Sequence, residues 1–314
     1  MPLDPRVQRF LRILEATTPP DPSRLTTAQR RDGFRDLMQF ADDPAPVAGV
    51  ADSTIHGPNG PIPIRVYTPL DPPAGKLPGL IYFHGGGLVA GSLDTHDPLC
   101  RVLANETVCR LIAVDYRLAP EQKFPAAVTD GVAATDWAFD NAAALHIDPT
   151  RIGIGGDSAG ATLAAIVCQM RRESVEKNLA WQLLICPIMD YATETGSRRT
   201  AAPNRLLNPA MLGHDLSLYL PSGVSPADPR ISPLRADDIS NLPPAFIHTA
   251  EFDPLRDEGK RYADRLTDSG VAVNYTCHPG MVHLFYALSR VVPYATTALK
   301  QIGGDIRNQF GPPH

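Results

Sequence analysis

The stretch Arg151-Ile152-Gly153-Ile154-Gly155-Gly156-Asp157-Ser158-Ala159-Gly160, continued by Ala161-Thr162-Leu163-Ala164-Ala165-Ile166-Val167, decides the fold. A short apolar run leads into glycines, a serine stands between two of them, and a helix-like run follows, so the segment reads strand, turn, helix. Glycines two residues before and two after Ser158 allow a cramped turn that lifts the hydroxyl clear of the backbone, and the start of the helix adds the positive end of its dipole. Earlier in the chain, Leu80-Ile81-Tyr82-Phe83 runs as a buried strand into His84-Gly85-Gly86-Gly87. Three consecutive glycines let the backbone turn freely and present bare N–H groups that can hold a developing negative oxygen. A nucleophile and an anion trap together imply acyl-transfer chemistry.

A serine hydroxyl is a weak nucleophile at neutral pH, so this chemistry also needs a histidine base and a carboxylate to orient it. On an open α/β sheet they follow the serine in the order carboxylate, then histidine, each after a strand. Ala245-Phe246-Ile247-His248-Thr249-Ala250 reads as a strand, and Asp253 comes directly after it. Val271-Ala272-Val273-Asn274-Tyr275 reads as another, leading through Pro279-Gly280-Met281-Val282 to His283. Rivals exist for both positions. Asp253 could instead cap the helix starting near Leu255, and Asp257 is a second carboxylate one helical turn further in. His278 competes with His283 as base but belongs to the strand end, and His248, inside a strand, reads as a core histidine. His96 and Asp97 are expected to cap and brace the helix after the glycine loop.

Five motifs in order, His84-Gly85-Gly86-Gly87, Asp115-Tyr116-Arg117-Leu118-Ala119-Pro120-Glu121, Gly156-Asp157-Ser158-Ala159-Gly160, Asp253-Pro254-Leu255-Arg256-Asp257-Glu258 and the Gly280-to-Phe285 loop, carry a resemblance. Over residues 50 to 310 the chain resembles the hormone-sensitive-lipase-like esterases, microbial family IV, within the α/β-hydrolase superfamily. The Gly-Asp-Ser-Ala-Gly form is similar to its GDSAG branch. The resemblance implies an α/β-hydrolase fold, a mostly parallel eight-stranded sheet flanked by helices and covered by a helical cap. It also implies a carboxylesterase with Ser158 as nucleophile, His283 as general base and acid, and Asp253 as the partner of the imidazole. The N–H groups of Gly86, Gly87 and Ala159 would form the oxyanion hole, with His84 and Gly85 shaping that loop. Leu88, Asp157 and Leu206 are expected at the substrate, Leu88 standing where the family commonly has an aromatic residue. Arg117 and Glu121 are expected to pair and brace the loop after the Asp115 strand. Amide hydrolysis stays open as a second reaction for the same groups, and a non-catalytic ligand receptor is a further reading of the fold.

The remaining sequence bounds the function. There is no Gly-Lys-Ser/Thr after a long glycine loop, and Gly153-Ile154-Gly155-Gly156-Asp157-Ser158 ends in Ser where the dinucleotide fingerprint has Gly or Ala, so no nucleotide site is expected. None of the nine histidines forms the spaced pair with Glu that marks a zinc protease. Neither metal nor cofactor is expected. Net charge is −5 with no long basic run, so nucleic acid and anionic membrane surfaces are not expected partners, and a small neutral ester is. Prolines number 32 in 314 residues, about twice the ordinary frequency, which fits rigid loops between strands. Five scattered cysteines, Cys100, Cys109, Cys168, Cys186 and Cys277, read as reduced core residues. No apolar run is long enough to cross a bilayer and no leader pattern stands at the start, so a cytoplasmic location is expected.

Strand and helix alternate over residues 50 to 187, beginning with a hairpin about Gly57-Pro58-Asn59-Gly60. Two segments break the alternation: Val7-Phe10-Leu11-Leu14 and Phe34-Leu37-Met38-Phe40 have helical spacing without a strand partner, and residues 190 to 222 interrupt the later strands. The expected organisation is a cap segment over 1–48, a first core part over 49–188, a second cap segment over 189–223 and a second core part over 224–314. The two cap segments would pack together over Ser158 and line an apolar cleft. The resemblance also suggests a homodimer pairing through a sheet edge.

Overall fold

A computed structural model of the protein describes residues 2–17, 24–174, 176–200 and 206–310. Its strands are β1 (Gly49–Gly57), β2 (Gly60–Thr68), β3 (Leu77–Phe83), β4 (Arg110–Val114), β5 (Ile147–Asp157), β6 (Trp181–Ile185), β7 (Ala245–Ala250) and β8 (Val273–His278). They form one eight-stranded sheet in the order β1-β2-β4-β3-β5-β6-β7-β8. The hairpin expected about Gly57-Pro58-Asn59-Gly60 is present, with Gly57 opposite Gly60. β2 also pairs antiparallel with β4, and every pairing from β4 through β8 is parallel.

The helices in chain order are α1 (Pro5–Thr17), α2 (Thr27–Met38), α3 (Asp97–Thr107), α4 (Ala126–Asp140), α5 (Ala159–Arg171), α6 (Gly196–Thr200), α7 (Pro209–Tyr219), α8 (Arg256–Asp268) and α9 (Tyr294–Phe310). Local chemistry fixes several of their ends. Thr26 and Gln29 form a reciprocal capping box at the start of α2, and the Asn208 side chain accepts from the Met211 N–H at the start of α7.

Side-chain alternation divides the apolar residues of the central strands between the two faces of the sheet. Ile81 and Phe83 join Ile112, Ile154, Leu163 and Leu184 on one face, while Leu80 and Tyr82 join Leu111, Trp181, Leu183 and Ile185 on the other. Because helices cover both faces, these strands read as continuous apolar runs. Each such side chain contributes roughly 1.5–3 kcal/mol on burial. β5 starts earlier than the apolar run at Ile152 indicates, since Asp148-Pro149-Thr150 are extended but not buried and leave no hydrophobic signature.

Two expected braces are built differently. Arg117 pairs with Asp130 on α4, not with Glu121: its Nη2 donates to Asp130 Oδ1 at 2.7 Å, and its own N–H to Oδ2 at 2.9 Å. Glu121 instead receives Arg31 of α2, at 3.0 and 2.7 Å. His96 precedes α3 without capping it through its side chain. Asp97 does brace that helix, accepting from the Tyr67 hydroxyl at 2.9 Å and from Arg101 Nε at 2.7 Å. The cysteines are free thiols, four buried and Cys277 half-buried.

His248 on β7 and His278 on β8 are stacked, with His248 Nδ1 and His278 Nε2 3.2 Å apart and the Tyr294 hydroxyl 3.2 Å from His278 Nδ1. His278 is thus engaged inside the fold. Burial pulls His248 down from 6.5 to about 3 and His278 to about 4, so both are neutral in the folded chain near neutrality. The unfolded chain takes up the protons below 6.5, so stability is full above that pH and falls as pH drops toward 4. His248→Gln should therefore flatten the dependence of unfolding free energy on pH between 6 and 5 by about 1 kcal/mol per pH unit. Urea unfolding at the two pH values measures this, and equal slopes in parent and variant would contradict it.

Candidate active site

Ser158 is the hinge between β5 and α5. Its backbone has φ 52° and ψ −121°, a region that side-chain-bearing residues rarely occupy. The conformation is held because the backbone of β3 crowds the turn. A Cβ at Gly160 would lie 2.0 Å from the Phe83 carbonyl oxygen, and one at Gly156 would lie 2.4 Å from the same oxygen. Glycine is therefore the residue that fits on either side of the serine. The Ser158 N–H donates to the Ile185 carbonyl at the end of β6, at 2.8 Å, fixing the turn from the opposite side.

The structure brings the three separated side chains together. His283 Nε2 lies 3.0 Å from Ser158 Oγ, and His283 Nδ1 lies 2.8 Å from Asp253 Oδ2. A carboxylate can only accept, so Nδ1 carries the proton and Nε2 offers its lone pair to the serine hydroxyl. Asp253 is not the N-cap of α8, a position held by Leu255 without a side-chain cap; its Oδ1 accepts the Leu255 N–H at 2.8 Å ahead of the helix while Oδ2 holds the imidazole. Asp257 is engaged elsewhere, by Arg256 and by the Ser197 N–H. Backbone bonds lock the two loops to each other: Glu251 N–H donates to His278 O at 3.0 Å and Phe252 N–H to Met281 O at 2.8 Å. All three side chains are buried, Ser158 at 6%, Asp253 at 1% and His283 at 5% exposure.

The glycine loop lies beside the serine. Among the described residues, the N–H groups of Gly86, Gly87 and Ala159 donate to no protein acceptor, which leaves them available to a ligand oxygen. His84 supports the loop from behind. Its Nδ1 donates to the Gly85 carbonyl at 2.8 Å, its ring stacks on Tyr116 at 4.5 Å between centroids, and its own carbonyl accepts from the Tyr116 hydroxyl at 2.6 Å. Burial, helped by neighbouring His96, pulls the His84 imidazole down to about 3, so it stays neutral.

Asp157 and Leu88 are not at the cleft where the sequence reading put them. Asp157 is fully buried beneath the loop, accepting from the Tyr82 hydroxyl at 2.7 Å and the Gly85 N–H at 3.0 Å through one oxygen, and from the Tyr286 hydroxyl at 3.1 Å through the other. His96 Nε2 stands 3.5 Å away. Burial works to raise this carboxyl, but His96 and the hydroxyl donors outweigh it and hold it below the ordinary carboxylate range. Leu88 has φ 62°, and this reversal after the glycines turns its side chain into a small void beside Leu163, Ile166 and Tyr219. Leu206 does reach the cleft.

That cleft, about 520 Å³, contains Ser158, His283, Gly86 and Gly87 at its base. Leu14, Phe34 and Leu37 line it from the first 48 residues, and Leu206, Met211 and Leu212 from the 189–223 segment. The helical apolar spacing of those segments was the signal for them. Tyr82, Tyr286 and His96, which surround Asp157, gave none, because buried polar partners look like ordinary core residues in sequence. Among the described residues one group offers three metal-type ligand atoms close together, Cys186, Asp253 and His283. Its imidazole and carboxylate are already bonded to each other, and burial followed by the nearby Asp253 pushes the Cys186 thiol far up, so the sulfur keeps its proton. This donor set suits a hydrogen-bond chain better than a metal cage.

A profile of the family described as alpha/beta hydrolase fold matches residues 80–287. The chain belongs to this family, in its hormone-sensitive-lipase-like branch. It is 40% identical over 263 residues to the carboxylic ester hydrolase LipN of Mycobacterium tuberculosis, spanning 81% of this chain and 69% of that protein. An arylesterase of Saccharolobus solfataricus is 36% identical over 308 residues, covering 98% of this chain and 99% of its own. Among solved structures, an ester hydrolase from the metagenome of Lake Arreo, complexed with a derivative of bipyridine phosphonate, superposes with a TM-score of 0.95 at 40% identity, over 99% of this chain and 100% of that one.

Asp157→Ala would leave two buried tyrosine hydroxyls and the Gly85 N–H without their acceptor. The expected loss of stability is about 3–5 kcal/mol, the cost of breaking a buried charged network. Urea unfolding reads it directly, and a variant within about 1 kcal/mol of the parent would mean that the carboxylate is not the anchor of the loop.

Proposed function

We propose that the protein is a carboxylesterase acting on small esters of short to medium acyl chain, with Ser158, His283 and Asp253 as its catalytic residues. The observation that carries this reading is the continuous bridge from Asp253 Oδ2 through the imidazole to Ser158 Oγ, at 2.8 and 3.0 Å. As Ser158 Oγ attacks the ester carbonyl, its proton passes to His283 Nε2, and Asp253 stabilises the resulting imidazolium. The carbonyl oxygen takes up the negative charge facing the N–H groups of Gly86, Gly87 and Ala159. Collapse of the tetrahedral intermediate breaks the bond to the alcohol, which leaves with the proton from His283. An acyl-enzyme remains. Water gives a proton to the same imidazole, attacks the acyl carbon and releases the acid, restoring the serine.

The apolar lining supports an uncharged substrate, and a volume near 520 Å³ lies in the usual range for small-molecule sites. Residues 1–48 and 189–223 are read as one cap over the core formed by 49–188 and 224–314, because both contribute side chains to the same cleft. β8 lies at the edge of the sheet, which supports pairing of two copies through that strand, and the free thiols support a reducing cytoplasmic setting. No helix among the described residues is long and apolar enough to cross a membrane.

A series of p-nitrophenyl esters of rising acyl length, assayed with the parent and with Ser158→Ala, tests the reading. The variant should lose roughly 10⁶-fold in kcat. The parent should cleave p-nitrophenyl butyrate far faster than the matching anilide, and turnover of the anilide alone would transfer the assignment to amide hydrolysis.

A further inference from the structure

Among the described residues lining the cleft, Arg30 and Asp215 are the ion pair, and they meet directly above the glycine loop. Arg30 Nε donates to Asp215 Oδ1 at 3.1 Å and Nη2 to Oδ2 at 2.9 Å, a two-pronged pairing between α2 and α7. Both side chains are buried, at 8% and 6% exposure, and the guanidinium lies 5.6 Å from the centre of the Phe34 ring. Gly87 has φ +70°, and a Cβ built there would fall 2.0 Å from Asp215 Oδ2. The carboxylate therefore occupies the space that a side chain at position 87 would take. Arg31, the next residue of α2, donates to the carbonyls of Val89 at 2.8 Å and Ala119 at 3.1 Å, so the helix carrying the guanidinium is itself fixed to the segment after the glycines.

Two buried charges give little net stability over apolar side chains of the same volume. What they give here is a shape that cannot yield, because a move by either group leaves the other charged and unpaired in an apolar cleft. An ester oxygen held about 3 Å from the Gly87 nitrogen brings the two groups attached to the carbonyl carbon close to whatever stands over Gly87. We propose that the Arg30–Asp215 pair determines specificity, excluding branches on the acyl carbon next to the ester carbonyl and on the alcohol carbon bonded to the ester oxygen, so that the site accepts unbranched esters. The proposal rests on the ester-hydrolase reading of Ser158 and refines it.

The test compares kcat/KM for p-nitrophenyl butyrate with its 2-methylpropanoate isomer, and for butyl butyrate with 1-methylpropyl butyrate. An Arg30→Leu, Asp215→Ala double variant removes both charges and opens the space over Gly87. It should raise the branched-to-unbranched ratio in at least one series by about tenfold, the low end of what one methylene group is worth in a fitted pocket. An Arg30→Gln, Asp215→Asn double variant leaves polar side chains over Gly87 without the charges that hold them there, and should raise the ratio by only about threefold, less than the truncated pair does. Asp215→Glu keeps the charge and adds a methylene, and should lower the ratio; it gives a second readout where the truncated protein does not fold. Unchanged ratios in the folded variants, or a larger rise in the neutral pair than in the truncated pair, would overturn the proposal. Failure of the parent on every ester, or full turnover by Ser158→Ala, would instead remove the reading beneath it.

Discussion

The site depends on the backbone at Ser158, held in a conformation that costs of order 1–3 kcal/mol against an ordinary turn. β5 delivers the chain to this point, the end of β3 crowds it through the Phe83 carbonyl, and the Ile185 carbonyl anchors the serine N–H. Parallel pairing of β3, β5 and β6 therefore does more than build a core: the strands meet at one end, and that end forces the hydroxyl outward. The N–H groups of the glycine loop follow β3 directly, so they and the Ser158 hydroxyl are placed by neighbouring strands of one sheet.

Beneath that surface lies a second layer of polar groups. Asp157 precedes the serine, yet its carboxylate turns away from the cleft to gather donors from β3, the glycine loop and Tyr286. His96, 3.5 Å away, and the hydroxyl donors outweigh the effect of burial, which lets the carboxylate stay ionised while fully buried. His84 is neutral for the opposite reason: with one carbonyl acceptor and an aromatic neighbour, nothing in its surroundings stabilises a second proton enough to offset burial. The loop thus carries N–H donors at its front and is braced by hydrogen bonds at its back.

Much of this was legible in the chain. The hairpin at Gly57–Gly60, the parallel sheet and the order serine, aspartate, histidine follow from local patterns, because turn chemistry and strand periodicity act over a few residues. Side-chain direction was less accessible. Leu88 stands in a motif that points to the substrate, but a single left-handed residue after the glycines turns it away. Long-range polar partners were hidden altogether: Arg117 finds Asp130 and not Glu121, Glu121 finds Arg31, and Arg30 meets a residue 185 positions later. Such pairs depend on how helices pack over the sheet, and charged residues carry no periodic mark of their partners.

The chain's division of labour has a consequence for its diversification. Ser158, Asp253 and His283 sit on short connections after sheet strands, while most of the wall around them comes from α2, α7 and the residues near them. Replacements in that wall can redraw selectivity while reactivity is conserved, so lineages built on this scaffold can explore new substrates at little risk to the reaction itself. The contact between Asp215 and Gly87 is the point at which this independence ends, and there a change in taste would also be felt by the machinery.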